Sequence, residues 1–238
     1  MQLNIQDTQV PIAVVGMACR LPGGANTPEK LWQMLADGRD GWTDVPKDRF
    51  NWQSFHHPDA ETQGGFNHRG GHFLDQDIAA FDGGFFDIPG FEREAIDPQQ
   101  RIQLEVAYEA LENAGIPIER AKGSNTSVYV AVFSQDYAQM QFKDMNDLPQ
   151  YHMTGIGNAI VSNRISYLFD LRGPSVTVDT GCSGGLVSIH QACETLRSGD
   201  CDMALAGGVN LLISPDLMIP MSLMQYVNPR PLFYQVEY

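Results

Sequence analysis

Histidine runs out early in this chain of 238 residues: there are six, at positions 56, 57, 68, 72, 152 and 190, and none follows His190. Positive charge is also scarce, with 15 Lys and Arg against 29 Asp and Glu and a formal net charge of -14. That balance argues against nucleic acid as a partner, because phosphate binding rests on clustered basic side chains. The four cysteines (Cys19, Cys182, Cys193, Cys201) form no C-x-x-C pair. Their pattern suits neither a zinc ribbon nor a disulfide scaffold, and reduced thiols in a cytoplasmic setting are expected. No apolar run approaches the roughly 20 residues of a membrane span. The polar start, Met1 to Gln9, reads as neither signal peptide nor anchor, and no internal repeat is visible. Hydrophobic residues make up 43% of the chain, enough to build a core.

What the chain does contain is an alternation of strand and helix patterns. PIAVVGMA (Pro11 to Ala18) is a short β-branched apolar run, expected to be a buried strand. Thr27-Pro28-Glu29 has the chemistry of a helix start, and Leu31, Met34 and Leu35 follow at helical spacing. From Asp37 to Gly90 the chain is rich in Gly, Asp, His and aromatics without periodicity, which reads as a long irregular insertion. IDPQQRIQLEVAYEALENAG (Ile96 to Gly115) predicts a helix, with Ile102, Val106 and Leu111 among its apolar positions. NTSVYVAVFS predicts a strand, Gly155 to Leu171 a helix, SVTVDT a strand, a further helix runs to about Ser198, and CDMALAGGVNLLI predicts a last strand. Such β-α-β-α order argues for an α/β layered fold with a parallel or mixed sheet.

The chemistry concentrates in VTVDTGCSGGLVSIH, Val176 to His190. Gly181, Ser183 and Gly185 spell G-x-S-x-G, the elbow on which serine hydrolases carry their nucleophile. Cys182 stands in the same turn, and a thiol there is the competing nucleophile. The helix after the turn presents Leu186, Ile189, Cys193 and Leu196 at i, i+3, i+7 and i+10, which is expected to be its buried face. Free N–H groups and the positive end of that helix would stabilise a thiolate or an oxyanion beside the turn. A serine hydrolase needs an acid and then a histidine downstream. His190 is the one histidine downstream, seven residues along the same helix and roughly 10 Å away. It cannot serve Ser183, so the cysteine reading is preferred.

The segment from Val178 to Asp216 resembles the active-site region of β-ketoacyl synthases, especially the ketosynthase domain that opens multidomain type I polyketide synthases. PIAVVGMACRLPGG, LWQMLADGRDGWTDVPKDRF, FDGGFFDIPGFEREAIDPQQRIQLEVAYEALENAGI and GNAIVSNRISYLFDLRGPSVTVDT resemble other stretches of that family, in the family's order. The resemblance spans about residues 11–224. It implies a thiolase-like α-β-α-β-α layered fold, with Cys182 as the acyl-accepting nucleophile. It further implies decarboxylative Claisen condensation with a malonyl-type extender, an acyl carrier protein as partner, and a homodimer where the fold is complete. No bound cofactor or metal is expected; the phosphopantetheine arm belongs to the carrier protein.

Two departures from the family pattern stand out. Glycine occupies position 181, where the family usually has alanine, and Ser183-Gly184-Gly185 replaces a run of serines. More importantly, two histidines that follow the cysteine in the family have no counterpart after His190. The expected organisation is therefore a polar leader (1–10), the N-terminal part of a ketosynthase (11–224) and a tail from outside the family (225–238), as truncation or a retained intron would produce. Two further readings stand beside the condensing enzyme: a catalytically incompetent fragment, and a cysteine or serine thioester hydrolase.

Other reactive residues have plainer readings. His56, His57, His68 and His72 lack ligand spacing and read as surface loop. Cys193 reads as a small buried hydrophobe and Cys19 as an inert loop thiol. RLPGGAN lacks the pattern of a phosphate loop. Arg164, Arg172 and Arg197 could form a basic patch for an acidic carrier protein or serve structurally.

Overall fold

The computed structural model describes residues 10–59 and 61–225, so the expected leader and tail lie almost wholly outside the described residues. In chain order the helices are α1 (Pro28–Ala36), α2 (Gly90–Arg93), α3 (Pro98–Asn113), α4 (Ile118–Ala121), α5 (Asp136–Phe142), α6 (His152–Ile156), α7 (Asn158–Leu168), α8 (Gly184–Ser198) and α9 (Met218–Leu223). The strands are β1 (Thr43–Asp44), β2 (Gly70–Gly71), β3 (Thr126–Val132), β4 (Ser175–Val178) and β5 (Met203–Val209). These elements divide between two compact units.

The first unit, residues 10–17, 103–133 and 157–209, is built on a parallel sheet in the order β4-β3-β5. Every residue of β3 is buried, as expected of a central parallel strand covered on both faces. Alternation along β3 sends its side chains to two different layers. Tyr129 faces α8, where its hydroxyl lies 2.6 Å from that of Thr195. Val130 lies in register with Thr177, whose hydroxyl accepts the Ser162 N–H of α7 at 3.3 Å. Helices α7 and α8 therefore sandwich the sheet, and Val128, Val130, Leu104, Leu111, Val161, Ile165 and Phe169 supply buried apolar bulk.

The second unit, residues 18–102, 134–156 and 210–225, holds most of the irregular stretch expected from composition. Short β1 and β2 pair antiparallel, a single 3-10 turn spans Trp52–Ser54, and Val45, Phe66, Phe73 and Met218 form a small core. Helix α1 begins as its sequence demands: Thr27 Oγ1 accepts the Lys30 N–H at 3.2 Å and Pro28 fills the first turn. At the start of α3, Asp97 Oδ1 accepts the Gln99 N–H at 2.8 Å and Pro98 follows.

Three expectations are corrected. Residues 11–18 form no strand, and Val14 and Val15 are 78% and 62% exposed. Gly16 explains their placement, because a Cβ there would stand 2.3 Å from the Ala110 carbonyl oxygen, so this stretch crosses α3 closely without joining the sheet. The expected helix from Gly155 to Leu171 is two helices, α6 and α7, broken at extended Gly157. Finally, α8 is turned the other way. Its buried residues are Gly184, Ser188, Ala192 and Thr195, whereas Leu186 is 74% and Ile189 52% exposed. Close approach to the sheet selected small side chains over apolar ones.

Candidate active site

Strand β4 runs out at Val178, and the next five residues make the turn into α8. Asp179 Oδ1 accepts the Gly181 N–H at 3.1 Å, which closes the chain on itself immediately after the strand. Gly181 has φ of 60°, in the left-handed region that glycine enters at low cost. A tight 3-10 turn, Gly181–Ser183, then leads directly into α8. Ser183 donates its hydroxyl back to the Thr180 carbonyl at 2.9 Å, with the Thr180 hydroxyl 3.0 Å away.

This turn leaves Cys182 exposed, two residues ahead of the helix. The backbone is held on both sides of it, by the Asp179–Gly181 and Ser183–Thr180 hydrogen bonds. Its neighbours in the sequence contribute the turn rather than a proton relay. Ser183 is committed to the Thr180 carbonyl, and His190 lies exposed further along α8. The other thiols are less available: Cys201 is buried with its sulfur 3.3 Å from the Ser127 hydroxyl, and Cys19 and Cys193 are half-buried.

The remaining sequence candidates do not assemble into a site. Among the described residues no group of three or more His, Cys, Asp or Glu side chains could hold a metal ion. His72 bonds to Asp40 at 2.9 Å and His57 to the Thr62 hydroxyl at 2.7 Å, both at the surface. His68 departs from the surface reading: it is buried, stacked on Phe66 with ring centroids 4.8 Å apart, and burial lowers its pKa. Arg164 is buried, Arg172 pairs with Asp170, and Arg197 pairs with Glu194 at 3.0 Å. Two of the three arginines are thus neutralised locally.

Sequence reasoning missed a buried polar lattice in the second unit. Gln99 Nε2 donates to Asp97 Oδ2 at 3.3 Å and to the Ser134 carbonyl at 3.0 Å. Its Oε1 accepts from the Ser134 hydroxyl and the Leu211 N–H, both at 3.2 Å. Asp136 Oδ2 accepts the Ile213 and Ser214 N–H groups at 2.8 and 2.9 Å, fixing the chain just beyond β5. Burial pushes the Asp97 carboxyl up to about 6 and raises that of Asp136 as well. The available signal was the polar run Asp97-Pro98-Gln99-Gln100 opening a helix whose first turn is buried.

An exposed cysteine thus stands in a strand-to-helix turn on a parallel α/β sheet, and comparison with known proteins gives the family. Residues 9–231 match the β-ketoacyl synthase N-terminal domain. The chain belongs to that family, and its fold is the thiolase-like α/β layered fold. It is 57% identical over 220 residues to the highly reducing polyketide synthase SAT13 of Stachybotrys chartarum, covering 92% of this chain and 9% of that enzyme. It is 56% identical over 220 residues to the highly reducing polyketide synthase sdnO of Sordaria araneosa, covering 92% of this chain and 7% of that enzyme. Among solved structures, an oxazolomycin ketosynthase domain from Streptomyces albus JA3453 superposes with a TM-score of 0.82 at 33% identity. That match covers 91% of this chain and 38% of the ketosynthase. The ketosynthase from module 6 of the bacillaene synthase of Bacillus subtilis 168 gives a TM-score of 0.79 at 33% identity, covering 91% and 35%. The chain thus spans under a tenth of the curated relatives and little more than a third of the solved domains. No described helix is long and apolar enough to cross a membrane.

Proposed function

We propose that this chain carries the acyl-accepting half of a β-ketoacyl synthase of polyketide biosynthesis, with Cys182 as the nucleophile. The supporting observation is the exposed Cys182 in the turn between β4 and α8, within a chain of this family. The acyl donor is a thioester on the phosphopantetheine arm of an acyl carrier protein, in keeping with the polyketide synthases among its relatives. The Cys182 sulfur attacks the thioester carbonyl and a new C–S bond forms. The carrier's C–S bond breaks, and its thiol leaves with the proton given up by Cys182. Condensation comes next: a malonyl-type extender loses carbon dioxide, and its carbanion forms a C–C bond at the carbonyl of the Cys182 thioester. The C–S bond to Cys182 breaks, releasing the thiolate to take up a proton from solvent.

The second reading separates these steps. In the family resemblance, two histidines beyond the cysteine serve the condensation, and within these 238 residues none follows His190. Assayed by itself, the chain stops at the acyl thioester. The test is incubation with a short acyl thioester of pantetheine, then with radiolabelled malonyl-carrier protein. Intact mass spectrometry should show one acyl group on the chain, none on Cys182→Ala, and no extended product. Steady release of free acid would favour the hydrolase. An extended product lost in Cys182→Ala would show that the chain condenses unaided.

A further inference from the structure

The elbow is closed by its own hydrogen bonds, but those bonds do not determine how far it stands from the sheet. At the first residue of α8, one contact limits the approach. A Cβ placed on Gly184, the first residue of α8, would lie 2.6 Å from the Ala131 Cβ, closer than carbon atoms approach. Ala131 is buried in β3 and stands in register with Val178 on one side and Gly208 on the other. It therefore sits beside the strand end from which the elbow springs and beneath the helix into which it runs. Gly208 has no side chain to displace the same methyl, and a Cβ there would be 3.5 Å from the Ala131 Cβ and 3.7 Å from the Gly185 Cα. Gly185, next along α8, behaves differently: a Cβ there meets nothing within 4 Å. Of two adjacent glycines, only Gly184 is needed for close approach.

We infer that Ala131 and Gly184 are positioning residues: the methyl of Ala131 against the bare Cα of Gly184 sets the height of the elbow and so where the Cys182 sulfur stands. This rests on the reading of Cys182 as acyl acceptor. A methyl added at Gly184 must lift the start of α8, because β3 is backed on its other face by α7. Displacement of a nucleophile by about 1 Å is enough to slow transfer strongly. An exposed thiol still meets a small alkylating agent after such a shift, whereas transfer from a thioester needs alignment.

The experiment compares the wild-type chain, Gly184→Ala, Ala131→Gly, the double variant and Gly185→Ala. In each, acyl transfer from a pantetheine thioester, alkylation of Cys182 by iodoacetamide and the melting midpoint are measured. Gly184→Ala should slow acyl transfer by about tenfold or more while alkylation changes by less than about threefold. Ala131→Gly, combined with it, should restore transfer to within about threefold of wild type and recover the melting midpoint, and Gly185→Ala should leave transfer unchanged. If Gly184→Ala does not fold, the double variant must still fold and transfer. Wild-type transfer speed in folded Gly184→Ala, or a double variant no better than Gly184→Ala, overturns the inference. If the wild-type chain itself takes up no acyl group, the functional reading fails and the positioning role falls with it. The melting midpoints still report the Ala131–Gly184 contact independently.

Discussion

Ser183 turns its hydroxyl back onto Thr180, 2.9 Å from the carbonyl it donates to, and so spends on the turn the proton a hydrolase would abstract. Ser183→Ala should therefore leave acylation of the chain intact, within about threefold of wild type. Its cost should appear in stability instead, at about 1 kcal/mol for one lost hydrogen bond at the surface. Thermal melting and intact-mass labelling of the same sample separate the two effects.

The four thiols should differ in reactivity as they differ in exposure. Limiting iodoacetamide on folded protein should label Cys182 first, Cys19 and Cys193 more slowly, and buried Cys201 last. Peptide mapping gives the order. Labelling of Cys201 before Cys182 would contradict the arrangement of β4, the elbow and α8.

Gly181→Ala restores the residue usual in the family, at a position where φ is 60°. A Cβ there meets nothing within 4 Å, so strain rather than collision sets the cost. The expected loss is about 1 kcal/mol, the penalty of placing a side chain in the left-handed region. Urea unfolding measures it, and Cys182 should label at the wild-type rate.

Burial raises the Asp97 pKa to about 6 from an ordinary 3.8, so the folded chain holds a proton there that the unfolded chain has released. Between those values stability falls as pH rises, and above about 6 the full cost is present, about 3 kcal/mol from the size of the shift. His68 works in the opposite sense. Its pKa is lowered by burial, so the unfolded chain binds the proton more readily and stability falls as pH drops below the ordinary histidine value of 6.5. Asp97→Asn should reduce the first dependence, leaving the part of the same sign that buried Asp136 contributes, and leave the second. Urea midpoints at a series of pH values from 4 to 7.5 would show it; an unchanged profile in Asp97→Asn would contradict the assignment.

The outward stripe of α8 predicts behaviour in solution. Leu186 and Ile189, with Val176 of β4, are apolar side chains that no described residue covers fully. Exposed apolar patches drive association. Sedimentation over a concentration series should detect self-association of the chain. Leu186→Gln with Ile189→Gln should weaken it without lowering the melting midpoint by more than a few degrees, because neither residue lies in the core.

Much of the first unit was legible in the sequence. The runs that became β3, β4 and β5 were short, β-branched or small, and bounded by turn residues. The elbow announced itself through a thiol among glycines. Helix α3 was legible for the same kind of reason: Asp97 and Pro98 begin it and Gly115, with φ of 67°, ends it. These features are local, decided by dihedral preference and by hydrogen bonds that close within a few residues.

Three others were decided only by tertiary structure. The apolar periodicity of α8 identified a helix but not its inward face, because periodicity weighs transfer from water whereas the packed contact weighs size. The face that meets the sheet buries Gly184, Ser188, Ala192 and Thr195; a Cβ on Gly184 would collide with Ala131, and Thr195 lies against the Tyr129 hydroxyl. Residues 11–18 have the composition of a strand, yet a strand needs a partner edge, and composition cannot supply one. Asp97, Gln99, Ser134 and Asp136 read as surface polarity one by one. They become a buried lattice because their partners lie up to 112 positions away in the chain, and only the folded backbone brings such donors and acceptors within 3.3 Å.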